Sequence, residues 1–328
     1  MPMVKIDANE IRAIYVKEAS MNMVLFVHQR NSSRPLVVKG EDGKGRQNVG
    51  AMLEFHASAF SKLRALPFET ERLANDEIEQ LRKCDSSKIE MSPKPTKQQW
   101  ALKLSALLYG KSDTVANALD HSKLKAVVKI SYVEELADLR GLNTKDAERK
   151  MLCDSLQAGD KEPVFALGQI LAVDFFIGNH DRFRDVTNKA GTRRQGEIIG
   201  DQNVFFQFKN NKITPIGLDT FDSTPLNPWS DMGKTIEELE GNSKHWPGRI
   251  LSPGATADRD NAATALVESL IEMSGATVGG RIKSKLIEAC HKGISDGKTI
   301  LRSKYKLGDN LQALSAGIRS RWLIIRGR

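Results

Sequence analysis

Two short apolar runs, residues 203–208 and 213–218, stand either side of Asn210-Asn211. Asparagine tolerates the left-handed backbone that a two-residue hairpin turn demands, and the aromatic and β-branched residues around it suit pleated strands. The pattern predicts a β-hairpin. Its position is restrictive, because the chain on either side reads as helix. Residues 163–177 place Leu167, Ile170, Leu171 and Phe175 on one helical face, and Pro163 fits the first turn, where its missing N–H costs nothing. Beyond the hairpin a proline-rich irregular stretch runs to Gly254, and helices fill the remainder.

The first third has a different grain. Residues 11–17, 23–28 and 35–39 are apolar, β-branched runs separated by Ser20-Met21-Asn22 and Asn31-Ser32-Ser33, which predicts a three-stranded antiparallel meander. A glycine-rich turn over 40–45 leads to a helix over 49–66, ended by Pro67. The charged stretch 70–97 closes with Pro93 and Pro95 and reads as a surface insertion. Helix is expected again over 100–109, then a strand-like run at 126–130 that leads into Ser131-Tyr-Val-Glu-Glu135. Strands first, helices last and one hairpin among the helices make an α+β chain, with a sheet-based lobe over 1–135 and a mainly helical lobe over 136–328.

The 328 residues carry 49 Lys and Arg against 41 Asp and Glu, a formal net charge of +8, with 40% apolar residues. That apolar share supports a folded core and excludes disordered or collagen-like chains. Cys84, Cys153 and Cys290 show no CxxC spacing, so neither a disulfide framework nor a cysteine zinc site is expected, and a reducing, cytoplasmic compartment fits. No apolar run approaches the roughly 18 residues of a membrane span, and no basic segment followed by a long apolar core opens the chain, so no secretory signal is expected.

The charge is uneven. From Gly279 onward there are 12 Lys and Arg against 3 Asp and Glu, leaving 37 against 38 in the first 278 residues. Helical spacing of Ile282, Leu286 and Ala289, and of Leu311, Leu314 and Ile318, puts the excess on amphipathic helices. Such a separate basic surface suits an acidic protein or an anionic membrane. With no RNP-type aromatic motif, helix-turn-helix signature or Cys/His finger, nucleic acid is not the expected partner.

Three polar segments gather around the hairpin. Gly178-Asn-His-Asp-Arg182 follows the apolar helix directly, Gly200-Asp-Gln-Asn203 opens the hairpin, and Asp219 lies just past its exit. A hairpin brings its two ends together, so Asn203 and Asp219 can share one cation. Magnesium prefers oxygen ligands and takes few from protein, leaving the rest to phosphate and water. Asp181, on the loop before the hairpin, is then placed to orient a hydroxyl nucleophile. In the sheet-based lobe Lys39 ends the third strand and Glu54 follows in the next helix, as where a helix glutamate holds a strand lysine toward nucleotide phosphates. Each residue alone has an ordinary reading: a solvated strand-end lysine, a helix-dipole glutamate, turn-capping Asp and Asn. Their order along the chain points to phosphoryl transfer, whose catalysis is mainly positioning and charge neutralisation.

Gly178-Asn-His-Asp-Arg-Phe183, Gly200-Asp-Gln-Asn-Val-Phe-Phe206 and Pro215-Ile-Gly-Leu-Asp219 together resemble the catalytic core of the actin-fragmin kinase family and, more distantly, the phosphatidylinositol 3- and 4-kinases. The resemblance is close over 167–221 and looser over 37–66. It implies a two-lobed protein-kinase-like fold, with an antiparallel-sheet N-lobe and a mainly helical C-lobe, that uses ATP and Mg²⁺. Carried over by position, Asp181 is the catalytic aspartate, Asn203 and Asp219 hold the metal, and Lys39 with Glu54 anchors the phosphates. Tyr132, Val133 and Glu134 form the hinge beside adenine, and Ser20 and Asn22 cover the phosphates where other kinases use a glycine-rich loop. The implied acceptor is a Ser or Thr hydroxyl of a protein such as actin. Phosphoinositide phosphorylation and transfer of AMP to protein are alternatives on the same fold, and a catalytically dead scaffold is the alternative from another class. Similar kinase domains occur among proteins that bacteria deliver into host cells, though no residue here marks a delivery signal.

The chain departs from the family pattern in several places. Phe183 stands where the lipid kinases carry His, which favours the actin-fragmin type. Asp181 and Asn203 are 22 residues apart, which implies an insertion over 184–197; without it Asn188 is the rival metal ligand. Asp219-Thr-Phe221 lacks the usual glycine, and no Ala-Pro-Glu follows. His180 beside Asp181 also suggests a metallohydrolase, but the further His and Asp ligands such a site needs have no visible spacing.

Overall fold

Strand β2 (Val24–Gln29) buries every second residue, and β1 (Ile11–Lys17) and β3 (Leu36–Glu41) pair with it antiparallel. A register shift between Ile11 and Ala13 marks a bulge in β1, and Ile11 and Ile14 on either side of it are both buried. The computed structural model describes residues 3–17, 24–41, 69–91, 94–109, 126–138, 141–177, 182, 204–217, 250–251, 254–304 and 316–326. Those up to Val133 form one compact unit and those from Glu134 onward a second.

In the first unit, β4 (Thr70–Arg72) and β6 (Ala126–Ser131) extend the meander on the β3 side, and β5 (Ile89–Glu90) closes the far edge beside β1. The strand order is β4-β6-β3-β2-β1-β5. Because β5 runs parallel to β1, the sheet is mixed where an antiparallel one was expected. Strands β4 and β5 sit at opposite edges, so the chain between them must cross five inter-strand spacings, about 24 Å.

Helix α1 (Asn75–Lys83) lies in that crossing, and Ile78 and Leu81 on it join Ile14, Leu25, Val27 and Val38 in the core. The stretch 70–97 is therefore not a surface insertion. Its charges misled because most of them face water, whereas Leu73, Ile78, Leu81 and Ile89 are buried beneath them. Helix α2 (Lys97–Tyr109) adds Trp100, Leu104 and Leu107 to the same core.

The second unit holds a three-stranded sheet, β7 (Leu136–Asp138), β8 (Phe205–Lys209) and β9 (Lys212–Ile216), in the order β7-β8-β9. Asn210 and Asn211 adopt φ of 52° and 58°, the left-handed pair that a tight hairpin turn needs. Helix α3 (Asp146–Ala158) ends at Gly159, whose φ of 77° is the left-handed C-cap that releases the chain into α4 (Glu162–Ile177).

Helix α4 was expected to bury one face. It is buried almost all round, because α5 (Thr256–Ser274), α6 (Gly280–Lys304) and α7 (Ala316–Ile325) belong to the same unit and α6 packs along it closely. Three glycines permit that approach. A Cβ at Gly293 would overlap the Phe165 carbonyl oxygen, one at Gly168 would overlap that of Cys290, and one at Gly297 would come within 3.0 Å of the Ala172 Cβ.

Helices α6 and α7 carry the basic excess, yet Leu286, Cys290, Ile294 and Leu301 on α6 are fully buried. The C-terminal region thus adds an apolar face to the second unit's core while Arg281, Lys285, Lys292 and Arg302 stay exposed, as the amphipathic spacing predicted. Among the described residues the fold is α+β, with a mixed six-stranded sheet, a small second sheet and seven helices. No described helix is long and apolar enough to cross a membrane.

Candidate functional site

Lys39 is placed by register. It lies opposite Val24 of β2 on one side and Val128 of β6 on the other, and the row continues to Lys17 beyond Val24 and Arg72 beyond Val128. Directly opposed residues in antiparallel strands share a face, so three cations alternate with two valines across one line of the sheet. The adjacent line on that face holds Tyr15, Phe26, Val37, Ile130 and Thr70. Lys39, Phe26, Val37 and Ile130 are half-buried, and Tyr132 meets the Phe26 ring edge-on with centroids 6.2 Å apart. An apolar strip beside a basic strip can take a planar apolar group and an attached anion.

The opposite face carries an ion pair that sequence reading missed. Lys129 Nζ lies 2.9 Å from Glu77 Oε1 and 3.3 Å from Glu71 Oε2, with the Lys129 and Glu77 side chains only 4% and 2% exposed. Glu77 also accepts the Ile6 N–H at 3.0 Å and the Ala74 N–H at 3.1 Å, so its charge is bonded from several sides. The pair anchors the N-terminal segment and the first turn of α1 beneath the sheet. Because Lys129 is opposite Val38, it occupies the core face, turned away from the row of Lys39. A Lys between Val128 and Ile130 reads as an outward strand residue, and only the acidic start of α1, some fifty residues upstream, hinted at its partner.

Strand β6 ends at Ser131, whose Oγ accepts the Glu69 N–H at 2.7 Å and whose own N–H donates to the Glu69 carbonyl at 2.9 Å. Tyr132 and Val133 follow, and the division between the two units falls after Val133. Glu134 and Glu135 belong to the second unit. The Glu134 carbonyl accepts from Gln207 Nε2 at 3.1 Å, and the Glu135 carbonyl accepts the Phe208 N–H at 3.0 Å, which ties this segment to β8.

The hairpin β8–β9 sets Phe205 opposite Ile216 at its open end. Asn203 is two residues before that pair and Asp219 three after it, and both lie outside the described residues. Ser20, Asn22, Glu54, Asp181 and the rival Asn188 also lie outside them, so of the candidate residues Lys39, Tyr132, Val133 and Glu134 are placed. Among the described residues no group of three or more His, Cys, Asp or Glu side chains forms a metal cluster.

Next to Asp181, the chain is fixed at Arg182. Its Nη1 contacts Asp174 Oδ1 at 2.7 Å and Oδ2 at 2.6 Å, and neither side chain reaches solvent. Asp174 was legible as an anomaly, since it interrupts an otherwise apolar final turn of α4 and a buried carboxylate requires a partner. The same helix end is held from a second direction. Arg321 of α7, itself fully buried, donates from Nε to the Phe176 carbonyl at 2.7 Å. Two guanidinium groups thus meet the C-terminal end of α4, where cations are favoured by the helix dipole and by unpaired carbonyls.

Part of the basic C-terminal surface is consumed in this way or in surface pairs. Lys283 sits 2.6 Å from Glu268, Lys292 sits 2.7 Å from Glu288, and the Arg326 guanidinium lies over the Trp322 ring at 4.9 Å. Compared with known family models and with curated proteins, the chain matches none.

Proposed function

We propose that the chain is an ATP-dependent phosphotransferase that modifies a hydroxyl group of a protein. The observation that carries this reading is the face of the first sheet on which Lys39 stands. Its apolar row offers a platform for an adenine ring, and the neighbouring row of Lys17, Lys39 and Arg72 offers positive charge for phosphates. Tyr132 and Val133, at the end of β6 in the same unit, offer backbone groups to the edge of the base. These features fit a nucleotide.

Bound ATP would supply the γ-phosphoryl group, and magnesium held by Asn203 and Asp219 would neutralise its charge. Lys39 steadies the phosphates, with Glu54 as its partner. Asp181 orients the acceptor hydroxyl and takes up its proton. The Arg182–Asp174 pair fixes the backbone next to Asp181, which supports a positioning role for that loop. The resemblance to the actin-fragmin kinases supports a protein acceptor.

The test is incubation of the chain with γ-labelled ATP, magnesium and a cell lysate, beside Asp181→Ala and Lys39→Met. Label on protein, lost in both variants, is expected. Label on lipid redirects the acceptor class, and incorporation from α-labelled ATP instead identifies AMP transfer. Absence of any transfer, with no stabilisation of the chain by magnesium-ATP, would sink the reading altogether.

A further inference from the structure

Helix α6 turns its charge to one side. Helical geometry places Arg281, Lys285, Lys292 and Arg302 within an arc of about 100° and along about 32 Å of the axis. All four are exposed, and Leu286, Cys290, Ile294 and Leu301 take up the opposite, buried side. The residues between the cations add little charge. Ser284, Thr299 and Ser303 each donate a hydroxyl hydrogen bond to a carbonyl of their own helix, and Glu288 is held by Lys292 at 2.7 Å. Asp296, half-buried at the edge of the face, accepts from Gln169. Two acids of α5 reach α6, and both are engaged: Glu268 by Lys283 at 2.6 Å and Asp260 by His291 at 2.7 Å. Among the exposed described residues of α6, four cations therefore stand against Glu288 alone, a net charge of +3.

The chemistry of this face selects its occupant. Among the described residues the exposed large apolar side chains are Val4, Tyr15 and Leu102, none of them on α6. A protein partner seats a charge-depleted, apolar patch at the centre of its contact, and a line of cations does not supply one. A surface whose negative charge is spread over a plane needs no such patch. We propose that this face of α6 docks the chain on an anionic phospholipid surface. Each Lys or Arg held near such a surface raises partitioning roughly fivefold, so a net charge of three favours it over a neutral bilayer by roughly a hundredfold. The docking face stands apart from the phosphotransferase reading and does not depend on it.

The full chain is sedimented with phosphatidylcholine vesicles made with and without phosphatidylserine. Binding roughly a hundredfold tighter to the anionic vesicles is expected, with release as salt approaches 1 M and the screening length falls to about 3 Å. The triple variant Arg281→Glu, Lys285→Glu, Arg302→Glu is expected to lose that preference. The same charge change at Lys83, Lys94 and Lys97, exposed in the first unit, is expected to leave most of it. On the unaltered chain, acylation by N-hydroxysuccinimidyl acetate, read by mass spectrometry, is expected to slow at Lys285 and Lys292 when anionic vesicles are present. At Lys83, Lys94 and Lys97 it is expected to stay unchanged. Equal loss in both triple variants, uniform protection of all five lysines, or no preference for phosphatidylserine overturns the proposal. Binding to polyglutamate through the same face, with none to vesicles, also overturns it and makes an acidic protein the occupant. The acylation pattern needs only the unaltered chain, so a folding defect in a variant does not rescue the idea.

Discussion

Arg182 Nη1 lies 2.7 Å from one carboxylate oxygen of Asp174 and 2.6 Å from the other, in a place closed to solvent. The pair joins the last turn of α4 to the residue that follows Asp181 in the chain. Removing one partner strands a buried charge, so Asp174→Ala is expected to cost about 3–5 kcal/mol. The Asp174→Leu, Arg182→Leu double variant is expected to cost less than either single change, because it leaves no charge behind. Urea unfolding midpoints of the parent, Asp174→Leu, Arg182→Leu and the double variant test this. A double variant less stable than both singles would show that the pair does more than neutralise itself.

The two strand lysines separate by stability and activity. Lys129→Met leaves Glu77 buried without its cation and is expected to destabilise the chain by about 3–5 kcal/mol. Lys39→Met, on the half-exposed face, is expected to leave the melting temperature nearly unchanged and to abolish nucleotide-dependent transfer. Thermal melts and labelled-ATP assays on both variants decide. If Lys129→Met kept full stability and lost activity, the assignments of the two lysines would be reversed.

Lys298 on α6 gives the chain a pH signature. Burial first, then the like charges of Arg259 and Arg302, push its ammonium down from 10.5 to about 8. The unfolded chain keeps this proton up to 10.5, and the folded chain gives it up from about 8, so between those values the unfolded state binds more protons. Stability therefore rises with pH across that window, and below pH 8 the burden of the charged lysine is fully present. Lys298→Met is expected to be more stable than the parent below pH 8, with the gap closing as pH approaches 10.5. Melting curves of the two proteins at matched pH check it, and a gap independent of pH would refute it.

The glycine contacts between α4 and α6 predict a contrast. At Gly293 a side chain would strike the Phe165 carbonyl, so Gly293→Val must push the helices apart at a cost of about 1–3 kcal/mol or more. At Gly254 nothing stands near an added Cβ, and Gly254→Ala is expected to stay within about 0.5 kcal/mol. Chemical denaturation compares them directly.

Local signals carried most of what was legible in the sequence. Asn210-Asn211 specified its own turn, because both residues tolerate the required backbone, and the meander followed from apolar, β-branched runs with turn residues between them. Strand β5 escaped notice because two residues give no period, and its place beside β1 depends on a crossing that only tertiary packing defines. The stretch 70–97 was misread for a related reason: Glu77 is a charge whose partner, Lys129, is 52 residues away, and no local pattern announces it. Helix α4 was read as one-faced, although Gln169 and Asp174 are the main polar breaks in its length and an apolar helix of that kind has neighbours on every side. Of the candidate site, Lys39 and the segment after β6 follow from strand register. The roles of Asp181, Asn203 and Asp219 rest on motif order.

The bond from Arg321 to the Phe176 carbonyl spans 145 residues of sequence, and that span sets a timetable for the ribosome. At roughly 5–20 residues per second, about 7–30 s separate synthesis of Phe176 from synthesis of its guanidinium partner. Early in that interval the end of α4 is solvated, because α6 has yet to cover its flank. The second unit therefore completes its core only as the last helix is made. A nascent chain stalled before α7 would carry every candidate residue and still lack one of the two guanidinium contacts at the C-terminal end of α4.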